Sequence, residues 1–211
     1  ITMMRLAQKG VPTQRVLQAV ELLDRACLTV CEGQYLDLEF QDRMMVTSAA
    51  YFDMISRKTG ALTGCSAQTG ALAAGADPKV CDQFGDTGSK LGMAWQLGRD
   101  IADLWGQQGD GMTAGNILNK KKSLPLIYAM ENSNLAAKRE LGAIYAKRVL
   151  QPEDVANLVA VLDRCDARRF SEDKAEELLE QAMQGLGGLE LAEETIANLR
   201  GLGRMALEGK V

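Results

Sequence analysis

The residues best suited to chemistry in this chain are two aspartates and a glutamine near its middle. Asp100 follows Gln96 by four residues and Asp103 follows Asp100 by three, so a helix would place all three side chains on one face. Two carboxylates one helical turn apart suit a hard divalent cation such as Mg²⁺, which takes oxygen ligands. The same spacing also fits two ordinary solvated aspartates on an exposed helix, because Asp-x-x-Asp is a weak motif by itself.

Lysines in two other segments favour a binding site for a phosphorylated ligand over a pair of solvated aspartates. Lys58 lies upstream and begins the sequence Lys-Thr-Gly-Ala-Leu, while residues 120–122 downstream are three consecutive lysines. Carboxylates that hold a metal ion, together with lysines from other segments, are suited to a metal–diphosphate complex. The elements that carry these segments must therefore bring them together.

Composition excludes several other kinds of protein. The 211 residues contain no histidine, which removes Ser-His and Cys-His nucleophile pairs and most zinc sites. The net charge of −4 argues against nucleic-acid binding, and no apolar run is long enough for a transmembrane helix. The five cysteines form no Cys-x-x-Cys motif, so we expect free thiols and a cytoplasmic protein.

Hydrophobic periodicity predicts helices along almost the whole chain and no strands. Helix starts are expected at Pro12, at Thr47 or Ser48, and at Pro78, and the helix that starts at Pro78 runs to about Trp105. A polar loop over 107–122 follows. The remaining predicted helices cover residues 124–131, 134–147, 152–165, 171–186 and 189–207. These elements predict one all-α bundle, forming a single domain over residues 1–211.

Four motifs, in order along the chain, resemble those of the trans-type polyprenyl diphosphate synthases. They read EGQYLDL over 32–38, KTGAL over 58–62, LGMAWQ over 91–96 and KKSLP over 121–125. Each motif alone is weak, but four in order and at nearly the family's spacing are specific. The resemblance covers about residues 1–150 and, more loosely, the rest of the chain.

The resemblance implies an isoprenoid synthase-like helical bundle around a central cavity. Family members join isopentenyl diphosphate to an allylic diphosphate with Mg²⁺, and they usually form homodimers. By resemblance, the residues that contact the allylic diphosphate are Lys58, Thr59, Gln96 and Lys121, and Asp100 and Asp103 help to hold Mg²⁺. We expect a homodimer, with a heteromer as the alternative.

The chain departs from the family pattern in three places. The family's first aspartate-rich motif would lie upstream of Ile1, so we expect that an N-terminal part is missing, together with the basic residues that bind isopentenyl diphosphate. Arg99 stands where the second motif, Asp-Asp-x-x-Asp, begins with a carboxylate. In the following loop, Gly111-Met112 replaces a usual Gly-Lys and Asn116 replaces a usual aspartate.

Three functions remain open on these observations. The first is a prenyltransferase that elongates an allylic diphosphate, the second a terpene synthase on the same fold, and the third a non-catalytic subunit of a heteromeric synthase. Arg99 bears on the choice, because its guanidinium could pair with Asp103 or contact the diphosphate directly. A side chain turned to solvent would instead indicate a decayed site.

Overall fold

The structure, a computed structural model, describes Arg5, residues 10–106 and residues 118–208. Within those ranges it contains α-helices joined by short connections and no strand, so the predicted all-α class is confirmed. In chain order the helices are α1 (Thr13–Asp42), α2 (Ser48–Ile55), α3 (Ala61–Ala74), α4 (Pro78–Trp105), α5 (Leu124–Asn132), α6 (Leu135–Ala146), α7 (Pro152–Arg164), α8 (Ala167–Gly185) and α9 (Glu193–Leu207).

Most helix starts lie where capping residues predict them. The Thr47 side chain accepts a hydrogen bond from the Ala50 amide at 3.2 Å, and Pro78 occupies the first turn of α4. The predicted start of α8 at Ser171 is wrong, because the helix already begins at Ala167. Asp166 precedes it in the left-handed conformation, with φ of 54°, so the chain turns between α7 and α8 without a longer linker.

A π-helical turn, Ser56–Gly60, joins α2 to α3 and carries two of the predicted site residues. Such turns add one residue to the helical repeat and occur often at functional sites. The turn lies directly on α1: a Cβ atom added to Gly33 would meet the Lys58 Cα at 2.6 Å and the Arg57 carbonyl carbon at 2.8 Å. Glycine at position 33 therefore permits a backbone contact that any larger residue would block.

The long helix α4 lies at the centre of the described fold and packs against α3, α8 and α9. One core cluster beside it contains Phe40, Tyr51, Leu97 and Leu124, contributed by α1, α2, α4 and α5. The small residues of α3 serve close packing, since a Cβ atom on Gly88 of α4 would meet the Thr63 carbonyl oxygen at 2.6 Å. None of the helices in the described ranges combines the length and apolar character that crossing a bilayer requires.

Candidate active site

A small pocket forms where α1, the π-helical turn, α4 and the segment before α5 meet. It encloses about 20 Å³, room for roughly one water molecule. Of the predicted site residues, Lys58, Gln96, Asp100, Asp103 and Lys121 line it. Asp37 lines it as well, so the structure brings together side chains from all four sequence motifs, and we call this space the diphosphate pocket.

Two lysines converge on one buried carboxylate at one side of this pocket. The Lys58 ammonium donates a hydrogen bond to Asp37 Oδ2 at 2.6 Å, and the Lys121 ammonium lies 3.8 Å from the same oxygen. The Asp37 side chain is only 8% exposed, against 20% for Lys58 and 32% for Lys121. Because the two cations share one anion and are more accessible than it is, they hold positive charge ready for an anionic ligand.

A chain of hydrogen bonds fixes the other side of the pocket. The Thr59 hydroxyl donates to Gln96 Oε1 at 2.9 Å, and Gln96 Nε2 donates to Asp100 Oδ1 at 3.0 Å. The hydroxyl of Tyr51, which is fully buried, donates to Asp100 Oδ2 at 2.6 Å. Thr59 therefore orients the Gln96 amide from behind, while Tyr51 and Gln96 together fix the Asp100 carboxylate.

The surroundings of Asp100 favour its protonated form. Burial raises the pKa of this carboxyl group to about 6, and the nearby Asp103 carboxylate adds to the shift. The hydrogen bonds from Tyr51 and Gln96 act in the opposite direction, as does Lys121. Burial beside this carboxylate also raises the pKa of the Tyr51 hydroxyl well above its usual value, so Tyr51 stays a donor.

Asp100 and Asp103 fit a magnesium ion that is shared with a phosphorylated ligand. Among the described residues, no group of three or more acidic or cysteine side chains is placed to hold an ion by itself. Mg²⁺ is usually bound through one or two carboxylates, several waters and the phosphates of the substrate. Two carboxylates one turn apart on the wall of the pocket match that donor set.

The Arg99 guanidinium lies on the aromatic ring of its helical neighbour. Its central carbon is 5.5 Å from the Trp95 ring centroid, a cation–π geometry. Arg99 is not one of the described residues that line the diphosphate pocket. Its predicted contacts with Asp103 or a diphosphate stay predictions, and positions 111, 112 and 116 lie outside the described residues.

Sequence reasoning assigned no role to three polar residues that line the pocket: Asp37, Tyr51 and Ser123. Asp37 belongs to the EGQYLDL motif, so its signal was present. Tyr51 shares its helical spacing with Ile55 and Lys58, a pattern that predicts core packing and conceals its polar hydroxyl. Contacts such as Tyr51–Asp100 join distant segments and leave no local pattern.

Comparison with known proteins identifies what this chain is similar to. Residues 1–162 match the family model described as polyprenyl synthetase. A geranylgeranyl pyrophosphate synthase of Geoglobus acetivorans is 31% identical over 182 residues, which cover 86% of this chain and 55% of that protein. A geranylgeranyl diphosphate synthase of Mycobacterium tuberculosis is 33% identical over 173 residues, which cover 81% of this chain and 49% of that protein.

The fold leads to the same group of proteins. The crystal structure of a geranylgeranyl pyrophosphate synthase superimposes with a TM-score of 0.87 at 26% identity, covering 96% of this chain and 64% of that one. The chain spans about half the length of the curated relatives it matches. The match over residues 1–162 and the shared fold confirm the resemblance seen in the four motifs, and the chain belongs to the polyprenyl synthetase family.

Proposed function

We propose that this protein is a prenyltransferase that condenses an allylic diphosphate with isopentenyl diphosphate. The observation that carries the proposal is the diphosphate pocket, whose lining brings Lys58 and Lys121 together with Asp100 and Asp103 of α4. The relatives named above are geranylgeranyl diphosphate synthases, which supports condensation over the terpene synthase and non-catalytic alternatives.

In the proposed reaction the bond between C1 and oxygen of the allylic diphosphate breaks, and the diphosphate leaves with the electron pair. Lys58 and Lys121 stabilise the negative charge that grows on the leaving group, because Asp37 already holds both ammonium groups at the pocket. The alkene of isopentenyl diphosphate then attacks C1, and loss of a proton restores a double bond. Gln96, held by Thr59, contributes an oriented amide at the wall of the pocket.

Asp100 and Asp103 are the residues that would hold Mg²⁺. Bound there, the ion would supply positive charge to the phosphate oxygens and so favour departure of the diphosphate. For Asp100 this role requires the ionised carboxylate. Its two hydrogen-bond donors, Tyr51 and Gln96, favour that form although burial opposes it.

The test is product formation from farnesyl diphosphate and radiolabelled isopentenyl diphosphate in the presence of Mg²⁺. Lys58→Ala should lower the rate at least about 100-fold, since it removes a charge that acts on the leaving group. Lys79→Ala, at an exposed lysine on the first turn of α4, is the matched control and should retain the wild-type rate.

The products distinguish the three functions. Prenyl transfer gives a labelled, longer diphosphate, whereas a terpene synthase gives an unlabelled hydrocarbon or alcohol. Release of diphosphate from neither substrate would indicate a non-catalytic subunit. Equal rates for Lys58→Ala and the wild type would refute the role given to the pocket.

We also propose that the protein forms a homodimer in the cytoplasm. Support for a dimer comes from one face of α1, where Leu28 is 68% exposed, Tyr35 67% and Leu38 54%. Exposed apolar stripes of this kind mark protein interfaces. The compartment is supported by the five cysteines, all of them unpaired, which fits a reducing environment.

A further inference from the structure

A second, larger groove lies on the other side of Lys122 from the diphosphate pocket. It encloses about 390 Å³, within the usual size range of small-molecule sites. Its lining comes from the end of α1, residues 43–46, the lysine segment before α5, and helices α5 and α6. Lys122 lines both spaces, and so the two are neighbours that share one cation.

Most of this groove is apolar. Its floor consists of buried core side chains, among them Val46, Ile127 and Leu141. Its edge carries Met44, which is 92% exposed, and Met45, which is 56% exposed. Methionine side chains are flexible and polarisable, so they adapt to apolar ligands of irregular shape.

Two lysines add positive charge to the groove. Lys120 and Lys122 both line it, and no carboxylate among the described residues lies within ion-pair distance of either ammonium. The Lys122 ammonium is instead 4.5 Å from the Tyr145 ring centroid, and burial lowers the pKa of this lysine, with Lys120 adding to the effect. Asp42 also lines the groove, while Arg43 is paired with Glu39 at 2.6 Å.

We propose that this groove is a second binding site for a free prenyl diphosphate. The diphosphate would bind between Lys120 and Lys122, and the isoprenoid chain would lie on the floor beneath Met44 and Met45. Charge complementarity selects this occupant, since the ligand must combine an anionic head with an apolar tail. The inference rests on the proposed function, because the ligand class is that of its substrates and products. Occupancy would draw Lys122 away from the diphosphate pocket and so couple the two sites.

The test is calorimetric titration of the protein with a non-ionisable thiolodiphosphate analogue of a C20 prenyl diphosphate. The blocking variant is Gly142→Phe in α6: Gly142 lines the groove, and a Cβ atom there meets nothing within 4 Å, so the ring can extend into open space. Gly201→Phe is the matched control, since Gly201 is equally unobstructed in α9 and lies away from the groove. Thermal melts establish that both variants fold.

We expect two classes of site in the wild type and in Gly201→Phe. Gly142→Phe should weaken binding at one class of site, the groove, at least about tenfold and leave the other class unchanged. Lys58→Ala should instead remove the other class, the diphosphate pocket. Lys120→Gln, which removes a positive charge from the groove and adds no bulk, should weaken the same class of site as Gly142→Phe by at least about fivefold. Lys79→Gln should weaken neither class. Inorganic diphosphate should bind the groove more weakly than the analogue, because it lacks the tail.

Several results would overturn the inference. A single class that Lys58→Ala abolishes and Gly142→Phe leaves intact would refute the groove site while supporting the diphosphate pocket. Loss of binding to anionic vesicles in Gly142→Phe, without loss of the analogue, would assign the groove to a membrane surface. If Gly142→Phe changed the sedimentation of the protein and left binding of the analogue unchanged, the groove would be assigned to a second copy of the chain. No binding of any class would refute both proposals.

Discussion

Asp100 accepts hydrogen bonds at both of its carboxylate oxygens and still has a raised pKa, so its titration can be followed in the stability of the protein. At pH values between the usual pKa of 3.8 and the raised pKa of about 6, Asp100 is protonated in the folded protein and ionised in the unfolded chain. The contribution of Asp100 to the free energy of unfolding is therefore complete below this window. It is lost as the pH rises through it.

We predict that, between pH 4 and 6.5, the free energy of unfolding of the wild type falls by up to about 3 kcal/mol relative to that of Asp100→Asn. Urea denaturation of both proteins at several pH values measures this difference. Asp24→Asn, at an exposed aspartate on α1, is the control and should follow the wild-type profile. Parallel profiles for wild type and Asp100→Asn would contradict the assignment.

Tyr51 illustrates how a buried residue can act through another. We predict that Tyr51→Phe raises the pKa of Asp100 further, because the hydrogen bond that it removes favours the ionised carboxylate. Stability should fall by about 1–3 kcal/mol, as a buried acceptor loses its donor. Carbon-13 NMR titration of the aspartate carboxyl groups measures the pKa, and a role in packing alone would leave it unchanged.

At the scale of the elements, the contact between α1 and the π-helical turn positions Lys58. We predict that Gly33→Ala destabilises the protein by about 1–3 kcal/mol, because the added methyl group overlaps the backbone of Arg57 and Lys58. It should also weaken binding of inorganic diphosphate by displacing Lys58 from Asp37.

The control for this prediction is Gly70→Ala, in the exposed part of α3. A Cβ atom there meets nothing within 4 Å, so the substitution should stabilise the helix by up to about 1 kcal/mol. Denaturation and diphosphate titration of both variants make the comparison. Equal stabilities for Gly33→Ala and Gly70→Ala would show that the π-helical turn can move to accommodate the added methyl group.

The helices could be predicted from the sequence more completely than their contacts. Caps and prolines are local signals, and for this reason the starts of α2 and α4 were predicted correctly. The π-helical turn has no local signal, and its contact with Gly33 joins segments that are distant in the sequence. The predicted Mg²⁺ face of α4 is also local, whereas the Lys58–Asp37 pair joins residues 21 apart and appears only in the fold.

At the scale of the whole molecule, α1 exposes apolar side chains that a partner could cover. Leu28, Tyr35 and Leu38 recur at helical spacing and so lie on one side of the helix. The π-helical turn packs on a different face, through Gly33, which is buried. A second copy that presents the same face would cover the apolar stripe in the symmetric manner of most homodimers.

We predict that the wild type sediments as a dimer at micromolar concentration and that Leu28→Lys raises the dissociation constant at least about tenfold. The reason is that a charge would be buried at the centre of an apolar interface without a partner. Leu202→Lys is the matched control, since Leu202 is 50% exposed on α9, outside the proposed interface. Analytical ultracentrifugation over a concentration series compares the three proteins. A monomeric wild type, or equal dissociation constants for the two variants, would show that α1 is not the interface between copies of the chain.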